Sequence, residues 1–121
     1  TAGFIVEGNR YSNSPYYSED YKYMQGYYIS INKRILKIEK LNYTHTNSNA
    51  DATRANVTPN SWFHIKITKM NNSILVLITD MSNQTVGELH FTDDIAFIGG
   101  RFGFYSAGAS MSYKNLMITT K

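Results

Sequence analysis

His45, His64 and His90 are the histidines of this 121-residue chain. None has a second histidine at HxxxH or HxH spacing, so they do not make a metal pattern and read as exposed residues of a loop and two strands. The absence of cysteine removes thiolate catalysis, thiolate-bound zinc, iron–sulfur clusters and a disulfide scaffold. There is no GxSxG, no glycine loop that would cradle a phosphate and no dinucleotide fingerprint. Nine carboxylates remain. Glycoside hydrolysis needs two of them opposed about 5–10 Å apart across the sugar bond, but Glu19-Asp20, Asp51, Asp80 and Asp93-Asp94 sit beside turns or cations, where accepting hydrogen bonds from turn amides is the commoner task. Asp93 and Asp94, adjacent and followed by Gly99-Gly100, could hold a hard cation such as calcium. Two carboxylates are a thin ligand set, and turn capping is the stronger reading.

The aromatic residues say more. Tyr11, Tyr16, Tyr17, Tyr21 and Tyr23 crowd a segment rich in serine, asparagine and acids, with no strand period that would bury them all. A phenol offers an apolar face to the C–H side of a sugar and a hydroxyl to its polar edge, although tyrosines folded over the core as a lid would look the same in sequence. Trp62 is the single tryptophan and is either a binding platform or covered by the tyrosine-rich loop. Arg54 and Arg101, flanked by small or apolar residues, offer a planar fork to vicinal hydroxyls, or else pair with Asp51 and Asp94.

Composition narrows the partner class. Charged residues make up 17% of the chain, against about 25% in an average domain, so neutral hydrogen-bonding groups must clothe the surface. The net charge is +3 and no basic run exceeds Lys33-Arg34; nucleic-acid binding would want a concentrated basic stripe. No segment reaches the roughly 18 apolar residues of a membrane span, and no signal peptide is visible. The start at Thr1 without methionine fits a processed or excised chain. Four sequons, at Asn42, Asn56, Asn71 and Asn83, suit surface loops; an asparagine-rich composition accounts for them by chance.

The elements that must position these residues are strands. In Ser61–Lys69, Phe63, Ile65 and Ile67 share one face while Trp62, His64, Lys66 and Thr68 share the other, the pattern of a half-buried strand. Met70-Asn71-Asn72-Ser73 turns the chain into Ile74–Ile78, apolar on both faces and so a central or doubly covered strand. Turn residues 80–84 lead to a strand from Thr85 to Phe91. Upstream, residues 3–7 and 26–31 alternate similarly, and Asn32-Lys33 turns into a strand over 34–41. Residues 101–106 and 109–119 form a last pair, and Asn42 to Asn49 read as a loop. With at least eight strands, little helix and no internal repeat, the chain is expected to be one all-β domain over residues 1–121, an antiparallel two-sheet β-sandwich.

Ala2-Gly-Phe-Ile-Val6, Gly26-Tyr-Tyr-Ile-Ser-Ile31, Asn60-Ser-Trp-Phe-His-Ile-Lys-Ile67, Ile74-Leu-Val-Leu-Ile78, Asp94, Gly99-Gly-Arg-Phe-Gly-Phe104 and Met111-Ser-Tyr-Lys-Asn-Leu-Met-Ile118, in that order, resemble the concanavalin A-like lectin/glucanase sandwiches. They are most similar to modules of carbohydrate-binding family 66, attached to bacterial glycoside hydrolases such as fructan-cleaving enzymes. The resemblance spans nearly the whole chain, and its motifs are hydrophobic alternation with loose punctuation. It implies a jelly-roll of two stacked antiparallel sheets and non-catalytic binding of a neutral oligo- or polysaccharide. It also implies secretion or display on the cell surface. Such domains open with further strands ahead of the Gly-Phe-Ile strand, so these are expected either in a larger parent protein or from a neighbouring domain or chain. Asn115 matches a structural asparagine of the family, and Lys114 stands where an acidic residue is usual.

By region, the resemblance and the chemistry together nominate Glu7, Tyr28, Arg54, Trp62 and Tyr105 as ligand contacts. No catalytic residue, cofactor or metal ligand is nominated beyond the thin calcium reading. A single-sugar pocket of this kind is expected to bind weakly, with Kd on the order of 10⁻⁴ to 10⁻³ M, and to gain avidity by linkage to other modules. A structural or adhesive domain that packs on a neighbour is the alternative, since exposed sheet edges invite strand addition. A small glycoside hydrolase stands third.

Overall fold

A computed structural model of the chain describes residues 2–10, 24–42, 48–93, 100–106 and 117. These residues form eight strands: β1 (Ala2–Arg10), β2 (Met24–Asn32), β3 (Ile35–Asn42), β4 (Ser48–Arg54), β5 (His64–Met70), β6 (Ser73–Thr79), β7 (Thr85–Thr92) and β8 (Arg101–Ser106). All pairings are antiparallel. One sheet has five strands in the order β4-β3-β2-β1-β8, and the other has three in the order β5-β6-β7. The described residues contain no helix.

Alternation decides which side chains meet between the sheets. Phe4, Tyr27, Ile29, Leu36 and Ile38 come from the larger sheet, and Ile74, Val76, Ile78, Leu89 and Phe91 come from the smaller one; all belong to one buried cluster. The architecture is therefore sandwich-like, two antiparallel layers on a shared core. Removing each large apolar side chain from water contributes about 1.5–3 kcal/mol. The Tyr27 and Phe91 rings meet edge-on across the layers, with centroids 6.1 Å apart. Phe63, Ile65 and Ile67 pack on this cluster while His64 and Lys66 are exposed, so the two-face reading of that segment holds from residue 63 onward.

Tight turns fix the registers. Lys33 and Arg34 connect β2 to β3, with Asn32 level with Ile35 and Lys33 in the left-handed region at φ 58°. The turn lies one residue later than expected. Asn71, at φ 44°, turns β5 into β6. Between β6 and β7, the Asp80 carboxylate accepts from the amides of Ser82 and Gln84, both at 2.9 Å, while Asn83 takes the left-handed position at φ 62°.

Two features depart from expectation. Residues 48–54, of which 48 and 49 were expected in the Asn42–Asn49 loop and the rest in no strand, form β4, an edge strand held by pairing with β3. The far face of β2 and β3 is also covered: Tyr28, Ser30, Glu39 and Leu41 are buried but lie outside the shared cluster. Tyr28 is level with Glu39, and Gly26 with Leu41. Glu39 is paired with Lys37 at 3.1 Å, as a buried carboxylate should be. The strand expected over 109–119, with Lys114 and Asn115, falls outside the described residues, as do Asp94 and His45.

Candidate functional site

The segment from Ala55 to Phe63 joins the two sheets. Its first residue is buried in the core, and the Ala55 amide donates to the Arg34 carbonyl of the β2–β3 turn at 3.0 Å. The next amide, from Asn56, donates to the Val86 carbonyl of β7 at 2.8 Å. Gly87 makes this seating possible, because a Cβ there would stand 2.8 Å from the Ala55 Cβ. The chain then emerges: Thr58, Pro59, Asn60, Ser61 and Trp62 are all exposed. Asn60 holds the left-handed conformation at φ 58°, and the Thr58 and Ser61 hydroxyls lie 3.2 Å apart. Trp62 is 44% exposed.

An indole of this exposure, close in sequence to two hydroxyls and a carboxamide on a loop whose first residues are hydrogen-bonded to both sheets, puts apolar surface and hydrogen-bonding groups on one loop. That is the chemistry a sugar ring requires. Arg54, the last residue of β4, is exposed at the other end of the same loop. The ion pairs among the described residues do not include one between Arg54 and Asp51; Asp51 accepts instead from the Ala52 amide.

The other nominated residues lie elsewhere. Tyr28 is 3% exposed. Period two correctly sets it opposite Tyr27, but that second face is covered as well, so a sugar reaches the ring only if the cover opens. Glu7 lies in β1 where the register shifts against both neighbours, between Val6 and Asn9 towards β2 and between Ile5 and Gly8 towards β8. Such bulges re-aim a strand locally. Tyr105 is level with Gly3, which is level with Ser30. The side chains of Glu7, Arg101 and Tyr105 are outside the described residues.

The Asp93 carboxylate meets Tyr27 and Lys40. Its Oδ2 accepts from the Tyr27 hydroxyl at 2.7 Å and pairs with Lys40 Nζ at 2.7 Å, so a calcium ion would have to displace an ammonium. No group of three or more metal-ligating side chains occurs among the described residues. Tyr27 and Lys40 are cross-strand neighbours, and Lys69 Nζ lies 5.9 Å from the Tyr27 ring centroid. Residue spacing gives no sign of this cluster. Its one trace in sequence is that Lys40 falls on the phase of Leu36 and Ile38, where an apolar residue belongs.

No family model, no curated protein and no solved structure matches this chain.

Proposed function

We propose that this chain is a non-catalytic carbohydrate-binding module that holds an attached enzyme or surface protein to neutral glycans, fructans among them, outside the cell. The observation that carries the reading is Trp62, exposed beside Thr58, Asn60 and Ser61 on a loop anchored to both sheets. A preformed loop spends little ordering entropy on binding, which suits a shallow site for one or two sugar units. Two antiparallel sheets on a shared core are compatible with the sandwich that the sequence resemblance implies, and the low charge favours neutral ligands. Arg54 is the second contact we assign, with Glu7 and Tyr105 as further candidates.

Calorimetric titration with fructans, galactans and arabinans tests the reading. Heat with at least one of them, lost in Trp62→Ala, supports it; no heat across the panel removes it.

A second reading has its own observation. The central strand of the smaller sheet presents Leu75 and Leu77 half-buried on the face away from the core, as a domain that packs on a neighbouring domain or chain would. Self-association or complex formation lost on Leu77→Lys, with no response to sugars, favours that structural or adhesive role.

A further inference from the structure

Lys40 and Asp93 are an unusual pair for a chain without cysteine. Their side chains are only 13% and 8% exposed, and Nζ lies 2.7 Å from Oδ2. They come from different layers: Lys40 belongs to β3 of the larger sheet, while Asp93 follows β7 of the smaller one. Each is held in place from outside the pair. Lys40 is fixed in register opposite Tyr27, and the Asp93 amide donates to the Asn72 carbonyl at 2.7 Å. The Tyr27 hydroxyl, in a fully buried side chain, donates to the same Oδ2.

We propose that Lys40 and Asp93 condense to an intramolecular amide that staples the two sheets covalently. Moving one proton from Nζ to Oδ2 within the ion pair gives an amine and a carboxylic acid. The amine lone pair attacks Cγ, the carbon bonded to the oxygen that Nζ already touches at 2.7 Å; holding nucleophile and carboxyl together in this way removes the entropic cost of bringing them into range. Negative charge grows on Oδ1 while Oδ2, which carries the ion-pair proton, becomes the leaving oxygen, and the Tyr27 hydroxyl that donates to Oδ2 eases its departure. The nitrogen gives up one proton and keeps one. Oδ2 leaves as water with the proton from the ion pair and the proton from the attacking nitrogen. No oxidant or second reactant is needed, and the product takes the place of a disulfide.

Intact-mass spectrometry of the whole folded chain, purified and then held at neutral pH, tests this directly. The expected mass is one water below the sequence mass, and a tryptic digest should contain a branched peptide joining Lys40 to Asp93, uncut at Lys40. Lys40→Arg, which keeps the charge pairing but cannot form this amide, should show its full sequence mass. In Asp93→Asn the same amide forms with loss of ammonia. A wild-type chain that keeps its full mass after prolonged incubation overturns the proposal, as does loss of water that persists in Lys40→Arg.

Discussion

Asp93 receives a phenol and an ammonium on one oxygen while its backbone amide is tied to Asn72, so a single residue links β2, β3 and the β5–β6 turn. Removing its carboxylate takes the ion-pair partner from a largely buried lysine. Asp93→Ala should therefore cost about 3–5 kcal/mol, whereas Tyr27→Phe, which deletes one hydrogen bond to a charged group, should cost about 1.5–3 kcal/mol. Urea unfolding of the two variants gives the comparison, and equal losses would show that Lys40 finds another partner once Asp93 is gone. Trp62 is the opposite kind of residue. It is half-exposed, and Trp62→Ala should change stability by no more than about 0.5 kcal/mol while abolishing glycan binding. At this scale the sequence was an uneven guide. Turn capping by Asp80 was legible because Asx chemistry is local, whereas the contact of His90 with Glu88 at 3.1 Å departs from the expectation of histidines without a glutamate partner. The Asp93 cluster was not, since Tyr27 and Asp93 are 66 residues apart and only the pairing of two sheets brings them together.

Among the elements, those with strict alternation were legible. Ile65 and Ile67 against Lys66, and Ile74, Val76 and Ile78 on a single face, follow from side chains pointing alternately to the two sides of a strand. β4 was hidden for the converse reason. Ser48–Arg54 has no apolar period, and its strand geometry comes from hydrogen bonding to β3 rather than from burial of its own side chains. The turns add strain that can be measured. Lys33 occupies the left-handed region, where a residue with a Cβ is disfavoured by roughly 1–2 kcal/mol; Lys33→Gly should recover part of that and raise the denaturation midpoint. Gly87→Ala should act the other way. Its new methyl would lie 2.8 Å from the Ala55 Cβ, an overpacking worth about 1–3 kcal/mol. Adding Ala55→Gly should restore part of the loss if the two positions are coupled through that contact, and an additive double variant would place the strain elsewhere.

For the whole molecule, the two sheets do different work. The larger carries aromatic and aliphatic residues to the core and has both faces of β2 and β3 covered; the smaller supplies the other half of the core and, through Asn56 and Val86, the footing for the Trp62 loop. Low charge and abundant hydroxyl and amide groups suit such a molecule to neutral polyols, whose recognition depends on flat apolar surface and hydrogen bonds rather than ion pairing. Salt should therefore leave affinity nearly unchanged, because no large charge is neutralised on binding. An affinity that fell steeply between low and high ionic strength would point to an acidic partner instead. Because Trp62 is the single tryptophan of the chain, its fluorescence reports on the proposed site without interference from another indole. The most direct measurement is that emission, followed while neutral fructans, galactans and arabinans are titrated into the intact protein. The account predicts a saturable shift with at least one of them, at Kd on the order of 10⁻⁴ to 10⁻³ M, reversed by dilution; a spectrum unmoved by every glycan at saturating concentration would contradict it.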